Sequence, residues 1–96
     1  MLTIVIKSFR HKGLMQFFES GSKAGIKADH TKHLRMQLAA LDTATTIDDM
    51  AIPGFKLHAL TGRDPQRWSI RVSGNWRLTF EFSDGNAYVS DYEDYH

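Results

Sequence analysis

Cysteine is absent, which excludes disulfides and thiolate chemistry and leaves the redox compartment open. No run approaches the roughly twenty apolar residues that a membrane-spanning helix needs. The apolar opening Met1-Leu2-Thr3-Ile4-Val5-Ile6 is short and lacks the basic leader of a secretory signal; its β-branched residues suit a first strand. No Gly-rich phosphate cradle is present, and Asp42, Asp48 and Asp49 do not match a calcium loop. His11, His30 and His33 have no cysteine or paired carboxylate at ligand spacing, so neither a metal nor any other cofactor is expected. Repeats, low-complexity segments and linkers are missing as well. The expectation is one domain over residues 1–96, with no membrane partner and the cytoplasm as its default location.

What is present begins with charge. The formal net charge is +1, yet it is strongly segregated. Residues 1–37 carry seven bases against two acids, residues 38–54 three acids and no base, residues 55–83 five bases against two acids, and residues 84–96 four acids. Such segregation permits a basic binding surface on a nearly neutral protein.

Periodicity supplies the elements. Residues 3–9 read as a strand. Leu14, Phe17 and Phe18 recur at helical spacing before Gly21, a natural helix stop. Asp29 suits the N-cap of a second helix, on which Leu34, Leu38 and Leu41 fall at i, i+4 and i+7. Residues 42–50 read as an acidic loop with a short helical turn, closed by Pro53-Gly54. From Phe55 the period becomes two: Leu57 and Ala59, then Trp68, Ile70 and Val72, then Trp76, Leu78, Phe80 and Phe82 alternate with polar residues. That is the pattern of an antiparallel sheet with one face on the core. The fold class is therefore α+β, an N-terminal strand and two helices packed on a small, mainly antiparallel sheet.

Turns predict the register. A three-residue loop, Ser73-Gly74-Asn75, sets Val72 opposite Trp76, Ile70 opposite Leu78 and Arg71 opposite Arg77, whereas a two-residue loop mixes the faces. Asp84-Gly85 is a two-residue hairpin signal, pairing Ser83 with Asn86, Phe82 with Ala87, Phe80 with Val89 and Arg77 with Tyr92. His58, Arg71, Arg77 and Tyr92 then share the polar face, and an extended last strand carries Asp94 and His96 along it. Arg71 facing Arg77 costs a few tenths of a kcal/mol, a cost that an anionic ligand, or one of Glu81, Glu93 and Asp94, relieves.

These groups suit RNA cleavage by its own 2′-hydroxyl. That reaction needs a proton acceptor, stabilisation of a crowded phosphate and a proton donor to the leaving oxygen. Histidine titrates near neutrality and can act at either end; His58 and His96 are the candidates, with Asp94 placed to orient His96. Arg71 and Arg77 would hold the phosphate. Tyr92 and Tyr95 suit base stacking or acid chemistry and equally suit filling the sheet, while the phase of Trp68 and Trp76 assigns both to the core.

The ordered segments Lys56-Leu57-His58-Ala59-Leu60, Trp68-Ser69-Ile70, Asn75-Trp76-Arg77-Leu78-Thr79-Phe80 and Tyr92-Glu93-Asp94-Tyr95-His96 carry a resemblance. Together with Ile6 to Leu14 and Ala40 to Thr45, they make the chain similar to the HigB branch of RelE/ParE-type toxins. The resemblance implies a RelE-like fold and a metal-independent, ribosome-dependent endoribonuclease that cuts mRNA in the A site. It also implies a helix-turn-helix antitoxin (HigA-like) as partner, with operator DNA met only through the antitoxin complex. The family's catalytic positions map onto His58, Arg77, Asp94, Tyr95 and His96; Lys56, Arg63, Arg71 and Tyr92 are the expected RNA contacts. Relatives often carry a lysine where this chain has Thr61, and Lys56 or Arg63 would have to replace that charge. The alternative is a toxin of the same fold that inhibits a protein target without cutting RNA, a branch that lacks the closing Asp-Tyr-His.

Overall fold

The computed structural model describes residues 6–60, 62 and 67–94. The expectations for Arg63, Tyr95, His96 and Thr61 lie outside the described residues. Helix α1 (Lys12–Ser20) and helix α2 (Thr31–Thr43) precede strands β1 (His58–Leu60), β2 (Arg67–Ser73), β3 (Trp76–Ser83) and β4 (Asn86–Asp94). The four strands form one antiparallel sheet in the order β1-β2-β3-β4. Among the described residues no helix is long and apolar enough to cross a membrane.

Helix α1 starts where the imidazole of His11 accepts a hydrogen bond from the Leu14 amide at 2.9 Å. It stops at Gly21, whose φ of 77° glycine tolerates and whose amide bonds to the Phe17 carbonyl. Helix α2 is entered through a 3-10 turn, Ala28–His30, that contains Asp29, so the predicted cap is corrected: His30 stands at the N-cap and makes no side-chain cap bond. Its ring is engaged elsewhere. Leu34, Leu38 and Leu41 are buried against the sheet as their spacing predicts. Each contributes about 1.5–3 kcal/mol on burial. The acidic segment does contain a short helical turn, Ile47–Met50, opened by a capping box between Thr46 and Asp49. The amides of Thr45 and Thr46 both donate to Asp49 and hold its carboxyl below the usual carboxylate range.

The core lies between helices and sheet, where Ile70, Val72, Leu78, Phe80 and Ala87 meet Leu14, Leu34 and Leu38. The strand expected over residues 3–9 lies partly outside the described residues; its described part makes two parallel bridges to β4, Ile6 with Ala87 and Phe9 with Ser90.

Two irregularities set the register. At the β2–β3 hairpin the loop has two residues, Gly74 and Asn75, with Ser73 opposite Trp76. A bulge between Arg71 and Ser73 restores the expected Ile70–Leu78 and Arg71–Arg77 pairs, so Val72 is not opposite Trp76. The Asp84-Gly85 turn is as predicted, with both residues at positive φ and Ser83 opposite Asn86.

Further along, β4 carries a second bulge. Glu81 pairs with Tyr88, whereas Thr79 pairs with Asp91, Leu78 with Tyr92 and Arg77 with Glu93. Val89, at φ 51°, takes up the extra residue. Its amide donates to Ser8 Oγ at 2.7 Å, and its carbonyl accepts from Arg67 Nη2 at 2.9 Å. Because strand side chains alternate faces, one inserted residue reverses every position beyond it. The predicted pairing of Arg77 with Tyr92 is corrected accordingly.

Candidate functional site

β1 and the segment before it approach β2 and β3 around an open hollow of about 510 Å³ lined by Lys56, Leu57, His58, Leu60, Ser69 and Arg77. His58 is the exposed first residue of the edge strand and pairs with Ser69. Lys56 reaches the same hollow from a backbone turn at φ 53°. Arg77 Nη1 donates to the carbonyls of Gly74 and Trp76 at 2.9 and 3.3 Å, which holds the guanidinium against its own hairpin. A guanidinium has five N–H donors, so the remainder can meet an anion. An imidazole, an ammonium and a guanidinium thus line one surface, with no carboxylate among the described lining residues.

Arg71 stands across from Arg77 in the sheet but lines a second hollow with His33, Gln37 and Phe55. The two like charges therefore serve separate depressions. Across β3, Glu93 now faces Arg77, and the Thr79 hydroxyl donates to the Glu93 carboxylate. This polar face is partly roofed by Arg67, a residue that sequence reasoning missed. Arg67 is 6 % exposed, pairs with Glu81 at 3.3 Å and donates to Thr79 Oγ1 at 3.0 Å. Its phase matched Ser69 and Arg71, so its sequence suggested one more solvated cation. Its burial is matched by partners on two other strands, Glu81 and Thr79 on β3 and the bulged carbonyl of Val89, far along the chain.

The bulge separates the remaining candidates. Tyr92, expected on the polar face, is 4 % exposed and buried on the opposite one. There it stacks on Trp76 and its hydroxyl lies 2.6 Å from His30 Nδ1. Burial raises the Tyr92 phenol above its ordinary value, the Lys27 amide opposes that rise, and nearby Asp94 adds to it. A base-stacking role for Tyr92 is therefore replaced by a role inside the fold. Asp94 pairs with Trp76 at the end of the sheet, where alternation sets it on the side of Tyr92. The structure brings His58, Lys56 and Arg77 together, places Arg71 next to them, and puts Asp94 beyond the hairpin on the other side.

Among the described residues no three His, Cys, Asp or Glu side chains are grouped to hold a metal ion. The arrangement is suited to acid–base chemistry at a phosphate bound by fixed positive charge.

Comparison with known proteins bears on which phosphate. Residues 7–96 match the family described as the RelE-like toxin of the type II toxin-antitoxin system HigB. The chain is also 47% identical over 92 residues to a protein named Endoribonuclease HigB from Proteus vulgaris, covering 96% of this chain and 100% of that protein.

Proposed function

The chain belongs to the HigB family of RelE-like toxins of type II toxin–antitoxin systems, and on that premise we propose that it is an endoribonuclease that cuts mRNA in the ribosomal A site. The observation that carries this reading is the hollow shared by His58, Lys56 and Arg77. An RNA phosphate held there meets the Arg77 guanidinium and the Lys56 ammonium, both suited to the charge that builds up as the 2′-oxygen attacks. His58 exchanges a proton with the 2′-hydroxyl or the leaving 5′-oxygen, and His96, oriented by Asp94, serves the other end. Attack by the 2′-oxygen breaks the bond to the 5′-oxygen and leaves a 2′,3′-cyclic phosphate. Tyr95 positions the scissile nucleotide, and Arg71 and Arg63 extend the phosphate contacts.

Membership of a type II family implies an antitoxin partner. Its helix-turn-helix fold, and contact with operator DNA through the complex, belong to the same proposal, as does action on cytoplasmic ribosomes.

Cleavage of a defined mRNA on programmed ribosomes, set against the same RNA free in solution, tests the reading. Cutting is expected only on the ribosome. Arg77→Ala should lower the rate by about 10²–10³-fold, the usual loss when a donor to developing charge is removed. Equal cutting by a protein lacking both His58 and His96 would reject the assignment of the imidazoles.

A further inference from the structure

The far end of β4 is gripped from the helical side by a buried polar cluster that the chemistry above does not use. Tyr92 Oη receives the Lys27 amide at 3.4 Å and lies 2.6 Å from His30 Nδ1. His30 is itself 6 % exposed. The Tyr92 ring stacks on Trp76 with centroids 4.5 Å apart, and His11 meets its edge at 5.5 Å. His30 also meets the edge of Trp76, at 5.7 Å.

The phenol oxygen accepts from the Lys27 amide, and the phenol proton finds an acceptor when His30 is neutral with Nδ1 unprotonated. Burial favours that state, since it lowers the proton affinity of His30 and raises that of Tyr92. A side chain that only filled space would need no hydroxyl, and a buried hydroxyl without partners is costly. The hydroxyl instead ties β4 to a segment more than sixty residues earlier in the chain.

Chain ends commonly fray unless tied down. Trp76 and Tyr92 are the residues that stack, and beyond the Leu78–Tyr92 pair the next pair on the same face is Trp76 with Asp94. We propose that Tyr92 and His30 are positioning residues for RNA cleavage: their buried hydrogen bond, backed by Trp76, fixes the end of β4 and with it the place of Asp94 relative to Arg77. This rests on the assignment of Asp94 to the reaction. A displacement of about 1 Å at a reacting group can cost about 10²-fold in rate.

The test measures kcat and KM for mRNA cleavage on programmed ribosomes, with the full chain and with folded protein verified by thermal melting. Tyr92→Phe keeps the ring and its stacking and removes only the hydroxyl. It should lower kcat about tenfold to a hundredfold while KM stays within about twofold, because no surface that meets the ribosome has changed. His30→Phe keeps a ring without an acceptor and should match it. His30→Asn places an amide oxygen near the position of Nδ1 and should restore most of the rate. Because the two residues act as one unit, the double variant His30→Phe with Tyr92→Phe should be no slower than either single one. Should Tyr92→Phe fail to fold, the contrast between His30→Asn and His30→Phe decides the matter. A wild-type kcat in folded Tyr92→Phe or His30→Phe overturns the inference. Asp94→Asn runs alongside. If it is inactive while the Tyr92 variant is fully active, positioning alone fails; if it cleaves normally, the role of Asp94 fails and takes this inference with it.

Discussion

A histidine buried as a hydrogen-bond acceptor makes a fold sensitive to acid. His30 takes up its proton below its ordinary value of 6.5, first because burial penalises the charged ring and then because Lys27 lies near. As pH falls, the unfolded chain is therefore protonated before the folded one. The stability held by neutral His30 is complete above about pH 6.5 and drains away as pH drops through the folded value. Thermal melts between pH 7 and pH 5 should show a steeper fall in Tm for the wild-type protein than for His30→Asn. Asp49 also titrates low, but its contribution begins to be lost only below its ordinary value of 3.8. Nothing local in the sequence marks His30 as structural. Its partner Tyr92 is 62 residues away, and a lone histidine beside Asp29 reads equally well as part of an exposed helix start.

At the scale of elements, hydrophobic spacing was sufficient for α2, because Leu34, Leu38 and Leu41 form one stripe whatever surrounds them. The Asp84-Gly85 turn was equally readable, since few other residue pairs accept two positive φ values. The bulges were not. Ala87 and Val89 look like uninterrupted alternation, and a β-branched valine at φ 51° is the reverse of the glycine that usually signals a bulge. The faces of Tyr92 and Asp94 were misassigned for this reason. His58 and Arg77 precede the break and were placed correctly. Deleting Val89 should restore strict alternation while leaving Leu78 opposite Tyr92, so Tyr92 should stay in the core. The cost should be the lost bonds of the Val89 amide and carbonyl to Ser8 and Arg67, about 1–3 kcal/mol, seen as a fall in Tm. Val89→Gly accommodates the same φ, so it should keep the register, fold and cut RNA.

For the molecule as a whole, segregated charge acquires a location. Lys56, Arg71 and Arg77 come from three separate segments and gather along β2 and its two flanks, while the acids of the last strand are drawn into bonds or toward the sheet end. If those three cations each neutralise one phosphate of a single strand, the logarithmic salt slope is about −2. Raising salt fourfold should then weaken RNA binding by about twentyfold, and Lys56→Ala should flatten the slope by about 0.7. Binding titrations over a salt series check both values. Composition could suggest a basic surface but not its position, because which cations adjoin depends on strand order.

Ser8 accepts from the amide of Val89 and Arg67 donates to its carbonyl, and through that grip they decide whether Glu93 or Asp94 shares the face of Arg77. The orientation of the closing acids is thus written at two remote positions, much as a key's cut is set by its blank. A hydroxyl lost at position 8 would let the strand slip by one notch and exchange one acid for its neighbour, with every residue of the closing motif still spelled the same.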